Sequence, residues 1–297
     1  MSFLIARSID DAVAAMAQGA RPVAGGSDLV VGARHGVDSL PDDLVAIDRI
    51  RELAQIEVNT DGCAIGAGVT HARLMVDETI VRRYPGLADA AALVGSPATR
   101  NVGTVGGNIM NGSPAMDTGA PLLVLDATVE LRSESGTRTL PIAGLWTGPR
   151  LTAASATELC TSVFLSTPRD RSSSAYVRLE YRRAMEIAVV GAAASVQLND
   201  DGTIAAAKIA LTAVAPTVVA ISVDLIGRPA DEQALAMVAA AASDQATPIS
   251  DLRASDHYRR HTIGVMAKRA FDAAARRAQG EHIAVPVNRT LGIGASS

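Results

Sequence analysis

The amino-acid sequence predicts an α+β protein built from two parts. Extended and helical segments alternate up to about residue 55, and turn signals separate alternating apolar runs further along. The second half has the pattern of an antiparallel meander followed by helices. A chain of 297 residues is long enough to bury a core in each part.

The first part begins with a small βαβ unit. Asp10 to Gln18 is an amphipathic helix with acidic residues at its start, and Gly19 ends it. Arg21 to Ala24 is predicted to be extended, a short helix is expected from Leu29 onward, and Leu44 to Ile47 is the next strand.

Hairpins and short helices follow this unit. Glu57 to Gly68 contains Asp61-Gly62 between alternating runs, which indicates a tight hairpin turn. Helices are predicted near His71 to Asp77 and at Leu87 to Val94, and Ser135-Gly136 marks a second hairpin.

The second part starts after Pro168 to Ser174, a polar segment with a proline that is predicted to be structureless and to separate two domains. Val189 to Leu198 has a strand-like pattern, and Asp200-Asp201-Gly202 turns it into Ile204 to Thr212. Three helices are then predicted, near Val219 to Ile226, Asp231 to Ala242 and Tyr258 to Gln279.

Composition excludes several classes of protein. The formal net charge is −4 and the pI is near 5.7, so nucleic acid is not an expected partner. The longest apolar run, Ile187 to Val196, has about half of the ~20 residues that a membrane-spanning helix needs. The N-terminal segment lacks the pattern of a secretory signal. These features predict a cytoplasmic protein without a membrane span.

The cysteines and histidines predict no metal site. Cys63 and Cys160 lie far apart, which excludes a disulfide scaffold, a zinc finger and an iron–sulfur cluster ligated by this chain alone. His257 and His261 are four residues apart on a predicted helix, and a solvated helix face is favoured over a metal site. Any redox chemistry is therefore expected to use a bound organic cofactor.

Two glycine-rich loops are the main candidates for a binding site, Ala24 to Leu29 and Thr104 to Ile109. Consecutive glycines let backbone N–H groups converge on an anion without interference from Cβ atoms. The chain has no P-loop and no GxGxxG fingerprint after its first strand. Two facing loops of this kind could hold a pyrophosphate with backbone groups, although a Gly-Gly pair is also common in plain turns.

Polar residues next to the glycines have two interpretations each. Ser27 and Asp28 could cap the following helix or contact a ligand directly. Asn108 could stabilise its own turn or bind phosphate, and Asp117 could begin the helix from Thr118 or accept hydrogen bonds from ribose hydroxyls.

Longer motifs resemble the FAD-binding medium subunit of the molybdenum hydroxylases, the xanthine dehydrogenase and carbon monoxide dehydrogenase family. The first half carries AGGSDL at 24–29, RNVGTVGGNIMNGSPAMD at 100–117 and PLLVLDATVEL at 121–131. The second half carries EYRRAMEIAVVGAA from 180, LTAVAPTVV at 211–219 and RASDHYRRHTIGVMAKRA at 253–270. The resemblance covers nearly the whole chain, and the TVGGN loop with the following SPxxD is its most specific part.

The resemblance implies a set of FAD contacts. The first loop would hold the pyrophosphate and the second would close over it. Asp117 would lie on the adenosine side, and Leu159 would give a backbone contact near the adenine. Arg178 stands where the family commonly has a basic residue, and Ile187 would lie near the isoalloxazine ring. The implied residues are Val23, Ala24, Gly25, Gly26, Ser27, Asp28, Leu29, Val30, Thr104, Val105, Gly106, Gly107, Asn108, Asp117, Leu159, Arg178 and Ile187. No catalytic acid or base and no metal ligand is implied.

The resemblance also implies a fold. An FAD-binding domain over 1–170, with subdomains at about 1–55 and 56–170, would have the two-subdomain architecture of vanillyl-alcohol oxidase. A C-terminal domain of antiparallel sheet and helices would span 175–280, and 281–297 would form a tail.

The function implied is that of an FAD-carrying electron-transfer subunit. A large subunit would hold the molybdenum–pterin cofactor and a small one the 2Fe–2S clusters, in a dimer of heterotrimers, with NAD, quinone or oxygen as the external acceptor. Two alternatives stay open from the residues themselves: a stand-alone flavin oxidoreductase, and a non-catalytic nucleotide-binding assembly module.

Overall fold

The computed structural model describes residues 2–36 and 39–293. Their contacts divide the chain into two compact units that interleave along the sequence. Unit 1 contains the described parts of Met1–Arg73, Pro97–Gly112 and Asp126–Ser166. Unit 2 contains those of Leu74–Ser96, Ser113–Leu125 and Thr167–Ser297. The domain limits drawn from the sequence stay a prediction.

A parallel three-stranded sheet forms the N-terminal part of unit 1. Its strands are β1 (Ser2–Ile5), β2 (Arg21–Val23) and β3 (Asp43–Ala46), in the order β1-β3-β2. Helix α1 (Ile9–Ala17) starts with a capping box and buries Val13 and Met16 in a cluster with β3. The second helix is α2 (Ser27–Arg34). The predicted βαβ unit is confirmed.

A five-stranded antiparallel sheet forms the rest of unit 1. Its order is β4-β5-β10-β6-β7, with strands β4 (Ile56–Val58), β5 (Gly62–Gly66), β6 (Thr128–Ser133), β7 (Gly136–Pro141) and β10 (Leu159–Ser166). Both predicted hairpins, β4-β5 and β6-β7, are present. Unit 1 also contains the two-stranded hairpin of β8 (Trp146–Gly148) and β9 (Leu151–Thr152), and the helices α3 (His71–Leu74), α6 (Pro97–Val102) and α7 (Val105–Asn111).

Unit 2 is an antiparallel sheet between helices. The predicted meander runs through β11 (Ser172–Leu179), β12 (Val190–Leu198), β13 (Ile204–Thr212) and β14 (Val219–Ile221). One face packs against α9 (Glu232–Gln245) and α10 (Asp256–Ala278). The other face packs against α5 (Pro85–Ala91) and α8 (Gly119–Val124). The helices α4 (Glu78–Arg83) and α11 (Val287–Thr290) complete the unit.

Two predictions about this second part are wrong. The segment Val219 to Ile226 is not a helix: its first three residues form strand β14, because they pair antiparallel with Ile209 to Leu211 of β13. The segment from Pro168 to Ser174 is not structureless throughout, because β11 begins at Ser172. The Ser174 hydroxyl is buried there and accepts a hydrogen bond from Gly86 N–H at 3.1 Å.

A buried ion pair and its hydrogen bonds anchor part of the C-terminal segment. Asp89, which is fully buried, accepts hydrogen bonds from Arg277 at 2.7 Å and from the backbone N–H groups of Tyr176 and Val287. Because Val287 belongs to the segment predicted as a tail, this part of it packs as an element of unit 2. No helix in residues 2–36 and 39–293 has the length and apolar character needed to cross a membrane.

Candidate functional site

The two glycine loops lie against each other in unit 1. A Cβ atom on Gly25 would lie only 1.9 Å from the carbonyl oxygen of Val102, so the first loop packs directly on the backbone that leads into the second. Gly26 has a φ of +65°, a left-handed conformation that favours glycine, and it is the N-cap of α2. The two loops are therefore neighbours, whereas their enclosure of a pyrophosphate stays a prediction.

The first loop ends in unpaired backbone donors. The first four N–H groups of an α-helix, counted from the N-cap, lack intrahelical partners. In the described structure no side chain caps α2, and the amides of Ser27, Asp28 and Leu29 have no acceptor. The alternative that Ser27 or Asp28 caps the helix is thus wrong. A run of free amides at a helix N-terminus suits an anion.

Charge near this loop is modest. Burial raises the pKa of Asp28 above its ordinary value, while the positive charge of Arg150 lowers it. Arg150 lies at the turn between β8 and β9 with a positive φ of 59°, and its N–H donates to Gly112 O at 2.9 Å. The β8-β9 hairpin thereby brings one guanidinium towards the first loop.

The backbone N–H groups of the second loop are hydrogen-bonded within the protein. Val105 N–H donates to Val69 O at 3.0 Å, and Gly106 N–H donates to Ala67 O at 2.9 Å. Gly107 N–H donates to the Thr104 hydroxyl at 3.0 Å, and Asn108 N–H donates to Thr104 O at 3.0 Å. The expectation that both loops offer backbone amides is wrong for this loop, because Thr104 and the strand end at Ala67 satisfy them.

Gly107 leaves the backbone of the second loop open to another molecule. It is exposed, its φ is not positive, and among the described residues a Cβ there would approach only Thr104 Oγ1, at 3.1 Å. The fold itself would accept a side chain at this position with a small adjustment. A glycine is required here only if another molecule must approach the backbone.

His71, which lies outside every motif that the sequence offers for the site, lies beneath both loops. Its backbone N–H donates to Gly103 O at 3.0 Å, and a Cβ on Gly103 would lie 3.4 Å from the His71 ring and 3.7 Å from Ser27 Oγ. Burial and the charge of Arg100 lower the pKa of His71 to about 4. Its Nδ1 is buried without a hydrogen-bond partner within the described residues. The ring is therefore neutral at pH 7.

Asp117 belongs to a buried network in unit 2. The Tyr176 hydroxyl donates to Asp117 Oδ1 at 2.8 Å, and Arg178 Nη1 donates to Oδ2 at 2.8 Å. Burial raises the pKa of Asp117, and the charge of Arg178 opposes this effect. The hydroxyl of Thr212 lies 2.8 Å from Pro114 O and 3.0 Å from Met116 O, which anchors the segment before Asp117 to β13.

Arg178 is buried completely by this network. Its Nε and Nη2 donate to Glu180 Oε2 at 3.0 and 2.8 Å, and Glu180 Oε1 accepts from Arg289 at 2.9 Å. Asn288 pairs with both backbone groups of Arg178. Arg178 therefore contacts Asp117 with its side chain instead of presenting a free cation.

The sequence carried a signal for this network. Tyr176, Arg178 and Glu180 are spaced two residues apart around a strand, a spacing that puts side chains on one face. Asp117 precedes Tyr176 by 59 residues. Only the tertiary structure therefore shows that its carboxylate contacts the Tyr176 and Arg178 side chains.

The two remaining predicted residues lie in different settings. Leu159 opens β10 and is 3% exposed, in the same apolar cluster as α1. Ile187 lies in the connection between β11 and β12 and is 56% exposed. Ile187 is thus available to contact another molecule.

Neither cysteine is placed to react. Cys63 and Cys160 are both buried thiols, and burial raises the pKa of Cys160 to about 12. In the part of the chain that the structure describes, no group of three His, Cys, Asp or Glu side chains could hold a metal ion.

Family comparison identifies the class of protein. Residues 1–168 match the family described as the FAD binding domain in molybdopterin dehydrogenase. Residues 175–274 match the CO dehydrogenase flavoprotein C-terminal domain. The chain belongs to this family of FAD-carrying subunits.

Individual relatives agree with the family. The putative xanthine dehydrogenase FAD-binding subunit of Escherichia coli strain K12 is 31% identical over 94% of this chain and 98% of its own length. The carbon monoxide dehydrogenase medium chain of Hydrogenophaga pseudoflava is 31% identical over 90% of this chain and 94% of its own.

Solved structures show the same fold. A carbon monoxide dehydrogenase structure from Hydrogenophaga pseudoflava matches with a TM-score of 0.88 at 30% identity, over 93% of this chain and 98% of that one. Quinoline 2-oxidoreductase from Pseudomonas putida 86 gives a TM-score of 0.86 at 27% identity, over 94% and 98%. The chain is the FAD subunit of a molybdenum hydroxylase, an oxidoreductase of several subunits.

The described residues fit FAD. The dinucleotide has an anionic pyrophosphate, for which the free amides of Ser27 to Leu29 are suitable donors. The bare backbone at Gly107 leaves space that a Cβ would fill. The earlier resemblance to this family, with FAD as the cofactor, is confirmed.

Proposed function

We propose that this chain is the electron-transfer component of its complex. FAD, when bound, supplies the electron carrier between the 2Fe–2S clusters of a small partner subunit and an external acceptor, which is NAD, quinone or oxygen. The chain's own residues bind and orient the cofactor. Two buried, widely separated cysteines support the assignment of the clusters to a partner.

The proposed contacts in unit 1 divide between the loops. The first loop, Val23 to Val30, donates backbone hydrogen bonds to the pyrophosphate through Ser27, Asp28 and Leu29. The second loop, Thr104 to Asn108, forms a rigid wall whose bare Gly107 lets the cofactor approach. The observation that carries this proposal is the contrast between free amides in one loop and fully paired amides in the other.

Proposed contacts in unit 2 come from two places. The Asp117 carboxylate accepts hydrogen bonds from ribose hydroxyls on the adenosine side, and Arg178 supports it from behind. Ile187, exposed between β11 and β12, contacts the isoalloxazine ring. In unit 1, Leu159 is proposed to contact the adenine side through its backbone.

The proposed assembly is a cytoplasmic dimer of heterotrimers. Relatives are named medium chains of carbon monoxide dehydrogenase, which supports a large molybdopterin subunit and a small iron–sulfur subunit as the partners of this chain.

Purification of the tagged chain from its native source tests the proposal. We expect one FAD per chain, with two further polypeptides that carry molybdenum and iron. Recovery of the chain alone, with a flavin that a small organic substrate reduces directly, would favour a stand-alone flavin oxidoreductase. A chain that retains no flavin would favour a nucleotide-binding assembly module.

A further inference from the structure

Tyr176 is a buried tyrosine in the middle of β11, and its hydroxyl has a defined partner. The side chain is fully buried, and the hydroxyl donates to Asp117 Oδ1 at 2.8 Å. Burial and the negative charge of Asp117 raise the pKa of Tyr176 well above its usual value. The phenol therefore stays protonated and remains a donor at any physiological pH.

The sheet leaves a specific space for this hydroxyl. Arg178, Gly191 and Thr212 lie in register across β11, β12 and β13. A Cβ on Gly191 would lie 2.4 Å from the Tyr176 hydroxyl oxygen and 2.7 Å from Thr212 Cγ2. Glycine at position 191 thus gives the phenol the room it needs to reach Asp117.

Two donors fix the orientation of the Asp117 carboxylate. Tyr176 contacts Oδ1 and Arg178 contacts Oδ2, each at 2.8 Å. An ionised carboxylate has about four acceptor positions, so each oxygen keeps one more. The Asp117 side chain is 9% exposed while that of Arg178 is 0% exposed, so within the pair only Asp117 has side-chain surface that another molecule can reach.

We propose that Tyr176 is a positioning residue for the cofactor, which presets Asp117 so that its remaining acceptor positions meet the ribose hydroxyls on the adenosine side. Without the phenol, Oδ1 would lose its fixed partner and the carboxylate would rotate towards Arg178. This inference rests on the proposed role of Asp117 under the function above.

The test compares FAD with FMN, which lacks the adenosine half. Tyr176→Phe removes one oxygen and keeps the ring, and Asp117→Ala removes the carboxylate. Dissociation constants of both flavins are measured by fluorescence titration of the deflavinated full chain, and apo-protein unfolding is measured separately. We expect Tyr176→Phe to weaken FAD binding about five- to tenfold and to leave FMN binding unchanged.

A double-mutant cycle gives a second readout. If Tyr176 acts through Asp117, then Tyr176→Phe combined with Asp117→Ala weakens FAD binding no further than Asp117→Ala alone. Additive losses would overturn the positioning role. Equal losses of FAD and FMN affinity in Tyr176→Phe would also overturn it, because they indicate a general structural effect.

The outcome for Asp117→Ala separates the two proposals. If the ratio of FAD affinity to FMN affinity in this variant equals that of the unaltered chain, the proposed role of Asp117 itself is refuted. If this affinity ratio falls in Asp117→Ala but is unchanged in Tyr176→Phe, only the inference about Tyr176 is refuted. Should Tyr176→Phe fail to fold, the cycle is run with Gly191→Ala, whose Cβ displaces the hydroxyl.

Discussion

The two glycine loops of unit 1 share a sequence pattern and differ in their hydrogen bonds. Each has two consecutive glycines followed at once by a polar residue, but the glycines precede α2 in the first loop and lie inside α7 in the second. The first leaves the amides of Ser27 to Leu29 without acceptors, whereas the second pairs all four amides from Val105 to Asn108. The difference shows that a Gly-Gly motif specifies a tight approach of backbone but not which loop has donors to offer a ligand.

The contact between the loops gives the largest expected effect. In Gly25→Ala the new methyl group would overlap the carbonyl of Val102, and we expect a loss of about 3 kcal/mol in the free energy of unfolding. Gly144→Ala is a matched control, because nothing lies within 4 Å of a Cβ there and its φ, like that of Gly25, is not positive. Urea unfolding of both variants measures the difference, and equal losses would show that the loops are not in contact.

The pH dependence of stability tests the residue beneath both loops. The folded chain binds a proton on His71 with a pKa of about 4, whereas the unfolded chain binds it near 6.5. The folded state therefore takes up this proton later than the unfolded state does. The contribution of neutral His71 to the free energy of unfolding is fully present above pH 6.5. As the pH falls to 4, up to about 3 kcal/mol of this free energy is lost.

Replacement of the imidazole isolates this effect. His71→Asn keeps a planar polar side chain that does not titrate, so its stability should change less between pH 6.5 and 4 than that of the unaltered chain. His261→Asn, at an exposed position of α10, serves as the control. Parallel pH curves for the unaltered chain and His71→Asn would contradict the assignment.

Gly107 separates cofactor binding from folding. A Cβ there would contact only Thr104 Oγ1 among the described residues. Gly107→Ala should therefore change the free energy of unfolding by less than about 1 kcal/mol. FAD affinity should fall at least about tenfold in Gly107→Ala, and FAD retention should be lost in Gly107→Val. Gly144→Ala is the control, because nothing lies within 4 Å of a Cβ there. Normal FAD occupancy in Gly107→Val would show that the site lies elsewhere.

The cap of the second loop gives the smallest effect. Thr104→Val removes the hydroxyl that accepts from Gly107 N–H, and we expect a stability loss of about 1 kcal/mol. Thr104→Ser keeps the oxygen and should lose less. If the second loop acts as a wall, FAD affinity measured below the unfolding range should change little. A large fall in FAD affinity with unchanged stability would mean that Thr104 contacts the cofactor itself.

Several features of the fold followed from local sequence. The hairpin at Asp61-Gly62 and the meander with its turn at Asp200 to Gly202 are encoded by residues next to one another. The family and its cofactor followed from long motifs such as TVGGN with SPxxD. The strand at Val219 was misassigned because a short apolar run is compatible with helix or strand until its partner strand is known.

By itself the sequence determined the α+β class and the positions of the two glycine loops, because each depends on residues close in the chain. Only the tertiary structure decided which loop keeps free donors, since the acceptors for the second loop come from Ala67 and Val69, distant in sequence. The same holds for Asp117 and Tyr176, which are 59 residues apart. Hydrogen-bond partners are set by folding in three dimensions, and spacing along a chain does not reveal them.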